Sequence, residues 1–234
     1  MSSDAPDSTP APLTVRRPSG QLRGGVIVVQ EAFGVNEHIE DVCQRIADAG
    51  WLAVAPHMFH RTGDPSFAYD IDFSVLGEHM VALGVEGIAA DIAVARQFII
   101  DAGVEPSAVG IVGFCMGGTV AMATACTGDV AAAVTFYGGG VARGGRFGYP
   151  SLIDLAPSVQ VPWLGLYGDL DTGIPVDEVE ALRHATSLVD VPTEIVRYAD
   201  AAHGFNCDRR ASYHAESASD AWARMLAWFD QYLD

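Results

Sequence analysis

The chain has 234 residues, half of them apolar, and 13 Lys and Arg face 30 Asp and Glu for a formal net charge of −17. That length supports one large domain with a full core. So acidic a surface repels phosphate backbones and anionic lipid, which argues against nucleic-acid and membrane-surface partners, and no apolar run approaches the roughly 20 residues that span a bilayer.

Residues 1–12, rich in Ser, Asp, Ala and Pro, read as a disordered tail, and 13–234 as a single domain. From there strands and helices alternate. Val26–Gln30 is a buried strand, Asn36–Ala49 a helix closed by Gly50, and Leu52–Ala55 a short strand stopped by Pro56. An irregular excursion with one short helix occupies 57–84. Gly87–Ala102 is helical, Val109–Gly113 a strand, and Met116–Thr127 the helix that follows it. Ala131–Tyr137 is a strand leading into a glycine-rich loop that borders the site. Trp163–Tyr167 and Thr193–Tyr198 are strands around a helix at Val176–Ser187, and Ala215–Tyr232 is a closing amphipathic helix. Repeated βα units with short connections give an α/β fold: a mostly parallel central sheet with helices on both faces. Its sites belong at the carboxyl ends of strands. Glu31, Cys115, Tyr137, Asp171 and His203 all fall there.

Residues 109–118 read Val-Gly-Ile-Val-Gly-Phe-Cys-Met-Gly-Gly. This is the G-x-S-x-G nucleophile elbow with Cys115 in place of serine. A strand turns sharply into a helix there, and Gly113 and Gly117 remove the Cβ atoms that would clash. A helix N-terminus and a nearby histidine convert a thiol to thiolate near neutral pH. Downstream, Gly168-Asp169-Leu170-Asp171-Thr172-Gly173 and Ala202-His203-Gly204-Phe205 follow strands in the order nucleophile, acid, histidine. Cys43 and Cys126 fall inside helical patterns and read as small core residues. The four cysteines show neither a CxxC pair nor zinc-ligand spacing, and with no leader-like N-terminus a soluble, unprocessed cytoplasmic chain with reduced thiols is expected.

Gln30-Glu31-Ala32-Phe33-Gly34, the Gly-Phe-Cys-Met-Gly-Gly elbow, Gly-x-x-Asp-x-x-x-Pro and Ala-His-Gly-Phe together resemble the dienelactone hydrolase family across residues 30–205. The resemblance implies an α/β-hydrolase fold and a Cys–His–Asp triad with no metal or organic cofactor. It makes Cys115 the nucleophile, His203 the base and Asp171 the orienting acid. Asp169 is the fallback. Glu31 takes the position that helps generate the thiolate, the other reading of it being a charge that suits the following helix dipole. Backbone N–H groups of Ala32 and Met116 supply the oxyanion hole. Tyr137 matches a pocket-lining position, or else packs at its strand end. Where the family places a carboxylate-binding arginine four residues past the histidine, this chain has Cys207, with Arg209 and Arg210 just beyond; Arg209 is the candidate substitute if the loop is shifted, the other and favoured reading of it being a solvated surface charge.

The implied activity is hydrolysis of a lactone or activated ester of the carboxymethylenebutenolide class through a Cys115 thioester. Three alternatives stay open: a carboxylesterase on neutral esters, a catalytically quiet small-molecule binding module, and a redox sensor in which Cys207 resolves a Cys115 sulfenate. The expected partner is a small-molecule lactone or ester, with the protein a monomer or small homo-oligomer.

Overall fold

The computed structural model describes residues 9–233. Residues 1–8 of the expected tail lie outside the described part. Residues 9–12 form no helix or strand, yet Ala11 is buried and the Pro12 carbonyl accepts a hydrogen bond from His57 N at 2.9 Å.

In chain order the elements are β1 (Leu13–Arg16), β2 (Gly25–Val29), α1 (Glu37–Asp48), β3 (Leu52–Pro56), α2 (Gly77–Val81), α3 (Val85–Asp101), β4 (Val109–Phe114) and α4 (Met116–Ala125). There follow β5 (Ala132–Phe136), α5 (Leu152–Leu155), β6 (Trp163–Gly168), α6 (Val176–Thr186), β7 (Thr193–Tyr198) and α7 (Ala215–Tyr232). The seven strands form one sheet in the order β1-β3-β2-β4-β5-β6-β7. Every neighbouring pair is parallel except β1 with β3, which run antiparallel from Leu13 opposite Pro56 to Arg16 opposite Ala53. β1 is the one strand that sequence pattern did not announce. It has four residues, all half-buried, at the sheet edge, so neither alternation nor an apolar run marks it.

Strands β2 to β6 are buried at every residue, which requires cover on both faces. Their Val- and Ile-rich runs suit that position. Helix α1 shows how the covering helices are specified. Asn36 Oδ1 caps it by accepting from Ile39 N at 3.2 Å, Glu37 and Glu40 sit in its first turn and Arg45 in its last. Ile39, Val42, Cys43 and Ile46 form its buried stripe at helical spacing.

The excursion after β3 carries only short helical turns, and polar contacts tie it down. His57 bridges Thr14 and Asp64 at 2.9 and 2.7 Å. Arg61 grips buried Asp91 with two bonds of 2.8 Å, beside His60. His79 contacts Thr62 at 2.7 Å. These histidines are therefore structural. No helix among the described residues is long and apolar enough to cross a membrane.

Candidate active site

β4 ends at Phe114 and α4 begins at Met116, so the turn between them is a single residue, Cys115, with φ 54° and ψ −113°. A non-glycine residue there is strained, at a typical cost of about 1–3 kcal/mol that the surrounding packing must hold. The packing is tight enough to do so. A Cβ on Gly113 would overlap the Gly117 carbonyl, and one on Gly117 would run into the carbonyls of Val29 and Gln30 at the end of β2. Cys115 N donates to Phe136 O at 3.1 Å, and its own carbonyl accepts from Gly118 N at 3.0 Å. The thiol is thereby presented at the positive end of α4, whose first turn contains no acid.

His203 lies on the loop after β7, and its Nδ1–H donates to Asp171 Oδ2 at 2.6 Å. Asp171 is buried, and its other oxygen accepts from Gly173 N at 2.8 Å, so a tight turn fixes the carboxylate before the histidine meets it. Asp169 is occupied elsewhere: it takes two bonds of 2.7 Å from Arg197, which also reaches Glu180. The acid that holds His203 is Asp171. Burial acts to lower the His203 pKa, but the Cys115 charge and hydrogen bonding, together with Asp171, outweigh it and raise the value to about 10.

Beside Cys115 and His203 lies a second buried group. Glu31 is 1% exposed, and burial raises its pKa against the opposing pull of Arg210, His203 and Tyr137. Arg210 Nη1 is 3.5 Å from Glu31 Oε1, and its guanidinium lies over the Phe33 ring. Tyr137 is completely buried, with φ 40°, and its ring meets that of His203 edge-on at 5.1 Å. It supports the histidine from below instead of lining the cleft. Its hydroxyl and Glu31 Oε2 are neighbours, yet among the described residues neither has a partner of good hydrogen-bond geometry.

Cys115, Asp171 and His203 line a cleft of about 580 Å³. Phe33, Phe73, Val141 and Ile174 give it apolar walls, while Arg143 and Arg210 bring positive charge and Glu178 negative charge. The glycine-rich loop after β5 borders it through Gly139 and Gly140, as expected. Arg209, expected as the substrate-side cation, is corrected by its placement. Its side chain is 57% exposed and 3.7 Å from Asp208, whereas Arg210 is the one turned into the cleft. Met116 is the first residue of α4, where backbone N–H groups lack intrahelical acceptors. Ala32 is buried in the turn that Gly34 N closes on Glu31 O, on the strand end against which Gly117 packs.

Sheet order, elbow and a histidine held by a buried aspartate define an α/β-hydrolase. The chain belongs to the dienelactone hydrolase family, whose model matches residues 13–233. A protein of Escherichia coli O157:H7 named "Putative carboxymethylenebutenolidase" is 40% identical over 208 residues, covering 88% of this chain and 76% of its own. One of the same name from Methylorubrum extorquens is 37% identical over 209 residues, covering 88% of this chain and 72% of its own. The crystal structure titled putative dienelactone hydrolase from Klebsiella pneumoniae superposes with a TM-score of 0.87 at 40% identity, over 95% of this chain and 93% of that one. This chain is accordingly a hydrolase of that family.

Proposed function

We propose that the chain opens a lactone, or cleaves an activated ester, of the carboxymethylenebutenolide class through a thioester on Cys115. The observation that carries this reading is a strained elbow thiol at the start of α4 that shares one cleft with His203, itself held by buried Asp171.

Cys115 thiolate attacks the ester carbonyl, and the oxyanion rests on the N–H groups of Ala32 and Met116. The tetrahedral intermediate collapses, and imidazolium His203 passes its proton to the departing enolate or alkoxide. In a lactone that oxygen stays attached to the acyl group. Acylation consumes the thiolate charge that raised the His203 pKa. The His203 pKa then falls, and the neutral ring serves as the base for the water that hydrolyses the thioester. The same residue is acid in one half and base in the other because its neighbour's charge changes between them. Asp171 keeps the ring oriented throughout. A good leaving group, such as an enol, suits thiol chemistry because the thiolate is itself easily expelled.

One observation favours neutral esters as a second reading: Arg210 already faces the Glu31 carboxylate, so its charge is partly spent before a substrate arrives. Turnover of dienelactone, neutral lactones and short-chain aryl esters should be compared, with mass spectrometry of the quenched enzyme. An acyl adduct on the Cys115 peptide is expected, with preference for an enol lactone. Unchanged turnover in Cys115→Ala would overturn the reading. A preference for uncharged aryl esters over dienelactone would leave the chemistry in place and move the substrate to the second reading.

A further inference from the structure

Behind the loop that carries His203 lies a second cluster of ligand-type side chains. His38 on the first turn of α1, Cys207 and Asp208 each offer one N, S or O atom, and these atoms all lie within 4.8 Å of one another. The His38 side chain is 1% exposed, and neither ring nitrogen has a hydrogen-bond partner among the described residues. Its Nδ1 stands 3.7 Å from Asp208 Oδ1, beyond hydrogen-bond reach. A neutral imidazole has one N–H and one lone pair. Burying both without partners is an uncompensated cost, and such groups call for an unseen partner. Cys207 is wholly buried beside them.

The cluster also has an approach. Asp208 and Asn206 line a cavity of about 410 Å³ between α1 and α7, together with Asp41 and Arg45. The guanidinium of Arg45 stacks on Trp222 at 3.7 Å. Among the described residues, both polar atoms of the buried Asn206 amide lack partners as well.

We infer that His38, Cys207 and Asp208 form a binding site for a divalent transition metal of the borderline class, with Zn²⁺ the fitting ion. One nitrogen, one sulfur and one oxygen match the ligand preference of that class, and hard ions such as Mg²⁺ or Ca²⁺ would reject the thiol. Charge balances too: a dication with one thiolate and one carboxylate is neutral, which a largely buried site requires. On binding, the Cys207 S–H bond breaks, sulfur bonds the metal, and the proton leaves to solvent. Histidine enters neutral and gives up nothing. Of the three ligands, Asp208 also lines the cavity, which gives an ion its way in.

The site is separate from the triad but coupled to it by the chain. The loop that supplies Cys207 and Asp208 also supplies His203 and Arg210, while α1 follows the turn that supplies Glu31. A bound ion ties the base-bearing loop to α1. Sequence spacing conceals the arrangement, because His38 comes from the other side of the chain.

The test uses full-length Cys115→Ser protein, which removes the competing thiolate beside His203, stripped of metal and titrated with Co²⁺. One Co²⁺ per chain is expected, with a thiolate-to-cobalt charge-transfer band that Zn²⁺ displaces, and with a higher melting temperature for the loaded form. Adding Cys207→Ser or His38→Gln should abolish the band. Asp208→Asn changes an exposed side chain and keeps the buried packing, so it serves if either variant fails to fold. It should weaken Co²⁺ binding about tenfold or more. A band that survives Cys207→Ser, a failure of Cys115→Ser protein to bind Co²⁺, or Asp208→Asn protein binding as tightly as its parent would overturn the assignment.

Discussion

The two layers of the cleft floor are built on different principles. In the upper layer, backbone geometry fixes the groups proposed to react: a one-residue turn sets Cys115, a turn amide sets Asp171, and Asp171 sets His203 at 2.6 Å. In the lower layer, Glu31, Tyr137 and Arg210 are placed by burial and charge. Their ion pair is long, at 3.5 Å, and among the described residues two neighbouring buried oxygens, Glu31 Oε2 and the Tyr137 hydroxyl, have no partner of good hydrogen-bond geometry. A completed arrangement holds chemistry in place. An incomplete one is suited to change when a substrate carrying an oxyanion and a new acyl group enters. The contrast separates residues whose loss removes the reaction from residues whose loss retunes it.

Substitutions should rank accordingly. Cys115→Ala and His203→Ala should each cut turnover of an activated aryl ester by roughly 1,000-fold or more, with far-UV circular dichroism unchanged. Asp171→Asn should cost roughly 100- to 1,000-fold in kcat, because the ring loses its orienting partner. Asp169→Asn should leave kcat within about threefold and cost at most about 1 kcal/mol of stability, its partly exposed pairing with Arg197 being solvent-screened. Equal losses at the two aspartates would erase the distinction drawn between them.

Effects in the lower layer should appear as pH dependence. The folded pKa of Glu31 is raised, so its favourable contribution to stability is complete below the unfolded value near 4.5 and is lost as pH rises through the folded value. Arg210→Gln removes a group that lowers that pKa. The variant's melting temperature should therefore fall away from wild type as pH rises from about 5 to about 9, with near coincidence at the acid end. A constant offset across that range would mean that Arg210 acts by packing alone. The smallest effect expected is that of Arg209→Ala, whose exposed side chain should leave kcat/KM unchanged in a steady-state assay.

Much of this was legible in the sequence, for physical reasons. Buried parallel strands must be apolar, so β2 to β6 announced themselves, the half-buried edge strand β7 showed through its β-branched Thr193, Ile195 and Val196, and the elbow announced itself because only glycines fit at 113 and 117. The antiparallel edge strand β1 did not, having neither a buried face nor a run. Asp171 and Asp169 differ by two positions in one loop, and motif position alone separated them until the Asp169–Arg197 pairing was seen. Sequence does not separate Arg209 from Arg210, because successive tight turns between Gly204 and His214 decide which side chain points inward. Tyr137 had two readings, and only its complete burial under His203 chooses between them.

Alkylation of the thiols by iodoacetamide as a function of pH, read by mass spectrometry, tests the central pairing most directly. Burial pushes Cys43 up to about 12 and Cys126 up to about 11, and raises Cys207 as well, so those thiols stay protonated at neutral pH. Cys115 alone should be labelled well below the ordinary thiol value of about 8.5, and His203→Ala should move its midpoint upward. A Cys115 midpoint near 8.5 in wild type, or one indifferent to His203→Ala, would contradict the thiolate–imidazolium pair on which the mechanism rests.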